Sequence, residues 1–294
     1  MMTISLNVPE LVIALGEAAC RFDIDVLPRC DSTNAVLMSR AEMGAPSGAV
    51  VVAEEQTAGR GRRGRAWIAA PGDSLTFSVL WRFAPGTLPM GLSLAAGVAV
   101  ARALEKMLHG SVEKVGTPGV LSRDGLKPAG RADDTVQQGM PAVKTALKWP
   151  NDILLNGKKL GGILIELVPG APHAAVIGIG INCRLPAALP PDVRATAAAL
   201  GDAVDSNALL AALLIELLSV LETFSQAGFA ALRPDWLARH AFQDAPIVLL
   251  TDFSSPRQGI CRGVDSAGAL LLEANGRIER VLSGEISLRA ATSV

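Results

Sequence analysis

The chain has 294 residues, half of them hydrophobic and 19% charged, with a formal net charge of -1. That composition supports a sizeable core and excludes a disordered chain, while the balanced charge excludes a protein that coats nucleic acid over its whole surface. Four cysteines and three histidines stand scattered, without CxxC or paired-ligand spacing, which argues against a disulfide framework or zinc centre and predicts a reducing, cytoplasmic setting.

In chain order, the N-terminus lacks the basic flank, apolar run and cleavage site of a signal peptide. The apolar stretch from Leu11 to Ala19 is broken by Glu17 and is too short to cross a bilayer. Next, Asp31-Ser32-Thr33-Asn34 precedes a short helical segment over Ala35 to Arg40, with Asp31 or Ser32 as its cap. Residues 48–53, GAVVVA, predict a buried strand that opens into polar Glu54-Glu55-Gln56-Thr57. From Leu75 the pattern alternates: Leu75, Phe77, Val79, Trp81 and Phe83 on one side, Thr76, Ser78 and Arg82 on the other. This predicts a half-buried strand, and makes the intervening GRGRRGR, residues 59–65, a connection between two strands of one sheet.

Pro89 precedes a helix running through Leu108 to a stop at Gly110. Residues 115–142 are rich in Gly and Pro and lack periodicity, which predicts an inserted, mobile loop. Asn156-Gly157-Lys158-Lys159 between two apolar runs predicts a hairpin, and GIGIN, residues 178–182, lies on a further strand. Ala208 to Gln226 and Phe229 to His240 read as helices, the second broken near Pro234. Glu216 marks the apolar Ala208–Val220 as a core helix rather than a membrane span. From Ala245, short strands punctuated by Ser254-Ser255-Pro256, Ser266-Ala267-Gly268 and Asn275-Gly276 predict a small β-barrel.

Four stretches are candidates for chemistry. The four arginines of residues 59–65, on a glycine-rich backbone, suit either the phosphates of a small ligand or nucleic acid. Few aromatics accompany them, Trp67 being the near one, so base stacking finds little support. In Leu147-Lys148-Trp149-Pro150-Asn151-Asp152 a strand ends in a turn that can aim Lys148 into a cleft, with Trp149 in the core. The alternate glycines of GIGIN permit close approach by a ligand or another strand, and Asn182 can offer an amide to the edge of a base. The polar run Asp31–Asn34 holds more hydroxyls and amides than a helix cap needs.

In this order, DSTN, EEQTAGRGRRGRAW, KWPND with KKLGGILIE, and GIGIN, followed by SGEISL at 283–288, the chain resembles the biotin protein ligases. The resemblance implies an α+β fold: a mixed sheet flanked by helices, like that of class II aminoacyl-tRNA synthetases, with a small C-terminal SH3-like β-barrel. It implies a catalytic domain over 1–243 and a β-barrel domain over 244–294. The implied reaction joins biotin and ATP into biotinyl-5'-AMP, then acylates a lysine of a biotin carboxyl carrier protein, with Mg²⁺ arriving on ATP and no prosthetic group. By motif position, Ser32, Thr33, Asn34 and Gln56 bind biotin together with Arg60, Gly61, Arg62 and Lys148. Arg60, Arg62, Arg65, Trp67 and Asn182 face the adenylate, and Lys148 and Arg62 are the catalytic pair. About thirty residues precede DSTN, too few for the DNA-binding domain of the repressor members, so no DNA partner is expected, and a homodimer stays open. The alternatives are a lipoate or octanoate ligase and a nucleic-acid-binding protein.

Overall fold

The computed structural model describes residues 6–68, 72–113, 144–187, 189–202, 204–251, 255–282 and 286–291. The insertion expected at 115–142, Ser254 of the first turn, and Ser283 to Glu285 lie outside these residues.

A seven-stranded mixed sheet has the order β1-β2-β3-β7-β6-β5-β4. Its strands are β1 (Asp23–Leu27), β2 (Ala49–Ala53), β3 (Ser74–Arg82), β4 (Thr145–Lys148), β5 (Asp152–Leu155), β6 (Lys158–Val168) and β7 (Ala171–Asn182). The pair β1/β2 is parallel and the remaining neighbours are antiparallel. Among the described residues, six α-helices accompany the sheet: α1 (Val8–Leu15), α2 (Thr33–Glu42), α3 (Leu92–Glu113), α4 (Pro191–Thr196), α5 (Ser206–Ala227) and α6 (Arg233–Ala238). A second sheet, β8 (Pro246–Thr251) to β12 (Ile286–Ala290), comprises five antiparallel strands in the order β11-β10-β9-β8-β12. Between its ends run β9 (Arg257–Val264), β10 (Leu270–Ala274) and β11 (Arg277–Val281). The mixed sheet, its helices and this small C-terminal sheet are the α+β architecture expected.

The alternation in β3 correctly assigns Leu75, Phe77, Val79, Trp81 and Phe83 to one core, shared with α3 and α5. The expectation of a half-buried strand is wrong: Ser74 to Trp81 are all buried. The polar face is covered because α2 lies across it, with Leu37 and Ala41 packed on Val51, Leu80 and Val176, so Ser78 is sunk with no exposure at all. Helix α3 continues past Gly110 to Glu113. A single helical Gly costs only about 1 kcal/mol relative to Ala, too little to end a helix anchored on a sheet. The segment from Phe229 is broken near Pro234 as expected: a short helical turn, Phe229–Ala231, precedes α6, and Pro234 lies in the first turn of α6, where its missing N–H needs no partner.

The apolar helix α5 satisfies the length and composition of a membrane span, yet it buries Leu209, Leu213, Leu217 and Phe224 in the core. Its buried Glu216 pairs with Lys106. Asn156 and Gly157, with φ of 50° and 79°, form the left-handed two-residue turn that the β5–β6 hairpin requires. Strand β1 and helix α4 were not anticipated, being short and without clear periodicity.

Candidate active site

All eleven residues singled out by motif line one cavity of about 890 Å³: Ser32, Thr33, Asn34, Gln56, Arg60, Gly61, Arg62, Arg65, Trp67, Lys148 and Asn182. Its floor is the polar side of β3 and β7, one end is the start of α2, and β12 of the small sheet closes another side through Ser287 and Arg289.

At the α2 end the polar groups are locked together. Ser32 occupies the helix cap position but its side chain makes no capping bond, and Asp31 accepts instead from the Ser32 N–H at 2.6 Å. The Thr33 N–H donates to Gln56 Oε1 at 2.8 Å, and the Thr33 hydroxyl lies 3.2 Å from the same oxygen. The cap expected from Asp31 or Ser32 is thus supplied by Gln56, across from the next strand end. Ser78 Oγ stands 2.8 Å from Thr33 Oγ1 and donates to Asn34 Oδ1 at 2.6 Å. Asn34 Nδ2 donates to Glu166 Oε2 at 2.7 Å. Amide and hydroxyl orientations are therefore fixed before any ligand arrives, since an amide oxygen can only accept.

The arginine segment is itself a small hairpin. Trp67 N–H donates to Gly59 O at 2.9 Å, Arg60 bridges Ala66, and Gly61 N–H donates to Arg65 O at 2.7 Å. Its tip, Arg62–Gly64, is a helical turn in which Arg63 and Gly64 take φ of 62° and 66°. Three of the four arginines, Arg60, Arg62 and Arg65, line the cavity. Arg60 pairs with Glu166 at 3.0 Å, and Arg62 Nη1 lies 3.4 Å from Asn151 Oδ1.

Gly178 and Gly180 of GIGIN line the cavity, and they also make room for side chains. A Cβ on Gly178 would sit 2.2 Å from Asn34 Oδ1, and one on Gly180 would sit 2.8 Å from the Trp67 ring. Trp67 thereby lies flat on β7, with its Nε1 buried and without a partner. Asn182 does not simply present its amide to the cavity. Its Nδ2 donates to Ala198 O at 3.0 Å and its Oδ1 is 3.5 Å from Ser74 Oγ, so it ties the segment after α4 to the sheet.

Lys148 ends β4, and its side chain is only 14% exposed. The turn that follows, through a cis Trp149–Pro150 bond, brings Asp152 directly opposite in register, 3.1 Å from Lys148 Nζ. Burial pushes the lysine's pKa below its ordinary range, against the pull of Asp152. Trp149 is fully buried, as expected, and donates from Nε1 to Gly268 O of the small sheet at 3.1 Å. Asp152, Lys159, Glu166, Ser78 and Arg289 were not singled out from the sequence. Asp152, Lys159 and Glu166 stood inside quoted motifs, and Ser78 on the polar side of an alternating strand, so the signal was present for four of them. Among the described residues no three His, Cys, Asp or Glu side chains converge as metal ligands.

Cations at one side and a fixed hydrogen-bonding pocket at the other suit an anionic substrate. Residues 26–182 match the Biotin/lipoate A/B protein ligase family, and residues 255–289 match the Biotin protein ligase C terminal domain. The bifunctional ligase/repressor BirA of Escherichia coli is 37% identical over 275 residues, covering 91% of this chain and 74% of that protein. The biotin--[acetyl-CoA-carboxylase] ligase of Paracoccus denitrificans is 34% identical over 260 residues, covering 84% of this chain and 92% of that protein. Among solved structures, the biotin protein ligase from Aquifex aeolicus in complex with biotin and ATP superposes with a TM-score of 0.70 at 25% identity, covering 92% of this chain and 99% of that one. This chain belongs to the biotin/lipoate A/B protein ligase family.

Proposed function

We propose that this cavity carries out ATP-dependent biotin ligation in two steps. A carboxylate oxygen of biotin attacks the α-phosphorus of ATP, the bond to the β-phosphate breaks, and pyrophosphate leaves. A carrier lysine amine then attacks the acyl carbon of biotinyl-5'-AMP, AMP departs, and the amine proton goes to solvent. The observation that carries this reading is the convergence of all eleven motif residues on one cavity.

Neither step needs a protein nucleophile; charge neutralisation and positioning suffice. In this reading the pocket made by Ser32, Thr33, Asn34 and Gln56 holds biotin. Lys148 screens its carboxylate from the phosphate and then stabilises charge in transfer. Arg60, Arg62 and Arg65 take the phosphates, with Gly61 allowing the loop's close approach. Trp67 supports the nucleotide from β7, and the ligand relieves its unpartnered Nε1, since an unmet buried donor is costly. Asn182 acts by fixing the cavity wall beside the adenine. Mg²⁺ enters on the triphosphate, neutralising its charge.

The same reading makes the acceptor a biotin carboxyl carrier protein, the setting cytoplasmic, DNA not a partner, and 1–243 and 244–294 the two functional units. A homodimer remains compatible with it.

The test is biotin-dependent exchange of labelled pyrophosphate into ATP, run beside lipoate and octanoate, then transfer to a purified carrier protein. Exchange with biotin alone, followed by biotin on one carrier lysine, is the expected result. Folded protein that exchanges with none of the three acids would sink the proposal.

A further inference from the structure

We propose that Glu166 is a positioning residue that ties the biotin pocket to the arginine hairpin: its Oε2 accepts at once from Asn34 in the pocket and from Arg60 on the hairpin. The inference rests on the ligase reading above.

Register explains the meeting. Pairing of β6 with β7 sets Leu164 opposite Gly178 and Glu166 opposite Val176. Residues two apart on a strand share a face, so Glu166 stands beside the space over Gly178 that Asn34 fills. Asn34 Nδ2 donates to Glu166 Oε2 at 2.7 Å and lies 3.4 Å from Leu164 O. Arg60 Nη2 donates to the same Oε2 at 3.0 Å. Three segments far apart in sequence, the first turn of α2, the hairpin and β6, thus converge on one oxygen.

That oxygen sets two directions. A carboxylate offers acceptors, so it faces the Nδ2 end of Asn34, while the Ser78 hydroxyl donates to Oδ1 at the other end. With Nδ2 turned to Glu166 and Leu164, Asn34 keeps the second lone pair of Oδ1 for a ligand, which suits an N–H group and not a carbonyl. On the hairpin side, one guanidinium nitrogen of Arg60 is engaged, and the fork has others for phosphate. The pair is 46% exposed at Arg60 and 28% at Glu166. Such a pair adds little stability, so its contribution is orientation.

A glutamine at 166 presents a donor as well as an acceptor. It lets the Asn34 amide turn over, and it has no charge to hold Arg60.

The experiment is a pair of double-mutant cycles. Biotin affinity, by titration calorimetry, is measured for Glu166→Gln, Asn34→Ala and the double variant; the release rate of biotinyl-5'-AMP, by rapid filtration, for Glu166→Gln, Arg60→Met and their double. Glu166→Gln alone should weaken biotin and speed release, each about tenfold. It should do so by a smaller factor where Asn34 or Arg60 is already gone, since partners in one network are not additive. Smaller factors in both cycles support the proposal. An equal factor in either cycle, or an effect of Glu166→Gln on neither quantity, overturns it, because a merely structural loss multiplies through. If Glu166→Gln fails to fold, Glu166→Asp, which keeps the charge but is one methylene too short to reach both partners, takes its place in both cycles under the same criteria. Wild-type protein that neither binds biotin nor forms the adenylate sinks the ligase reading and this assignment with it, an outcome distinct from an active enzyme with additive variants.

Discussion

Asn34 occupies the space that a side chain at residue 178 would need: its Oδ1 lies 2.2 Å from where a Cβ on Gly178 would stand. Gly178→Ala must therefore displace Asn34 and break its contacts with Ser78 and Glu166. Biotin affinity should fall at least about tenfold, a loss of about 1.4 kcal/mol, measurable by titration calorimetry. Wild-type affinity in the variant would show that the Asn34 network does not shape the pocket.

Arg62 reaches from the hairpin tip to Asn151 beside the cavity. Arg62→Ala should retain the fold but release biotinyl-5'-AMP about tenfold faster, because one clamp on a labile anhydride is gone. Single-turnover synthesis followed by rapid filtration measures the release rate directly. Unchanged retention would remove the loop from the account of intermediate protection.

These two sites mark what was legible in the sequence. Local patterns located β2, β3, the β5–β6 hairpin and the C-terminal strands, because alternation and turn residues act over a few positions. Family resemblance named the cavity residues. Neither disclosed why GIGIN has glycines: Asn34 and Trp67 are distant in sequence from Gly178 and Gly180 and meet them only through the sheet. Glu166 escaped notice for the same reason, since its partners Asn34 and Arg60 come from α2 and the arginine hairpin. The burial of Ser78 depends on α2 lying across β3, which no periodicity within β3 can report.

Trp149 contributes through both area and its single donor. Trp149→Ala should cost about 3–5 kcal/mol by emptying a fully buried site. Trp149→Phe keeps most of the contact but loses the bond to Gly268 O, and should cost about 1 kcal/mol or more. Urea unfolding of both variants gives the comparison; a Trp149→Phe variant as stable as the wild type would mean that the hydrogen bond contributes nothing.

His240 supplies a pH test of stability. It is buried against Trp236, with ring centroids 4.4 Å apart. Burial pushes its pKa down to about 4 from an ordinary value of 6.5. The unfolded chain thus binds this proton first, so the contribution is complete above about pH 6.5 and is lost as pH falls toward about 4, by up to about 3 kcal/mol. His240→Phe should flatten that part of the stability profile in urea titrations. An identical acid slope in the variant would assign the loss to other groups.

The bond from Trp149 Nε1 to Gly268 O joins the residue next to Lys148 to the small sheet, and Arg289 of that sheet lines the same cavity. Chimaeras bear the consequence. A C-terminal sheet grafted from a relative has to recreate a carbonyl at the indole and a guanidinium at the rim, or the lysine's neighbourhood changes with it. Exchange of either half alone therefore tests the surroundings of Lys148 as much as the graft.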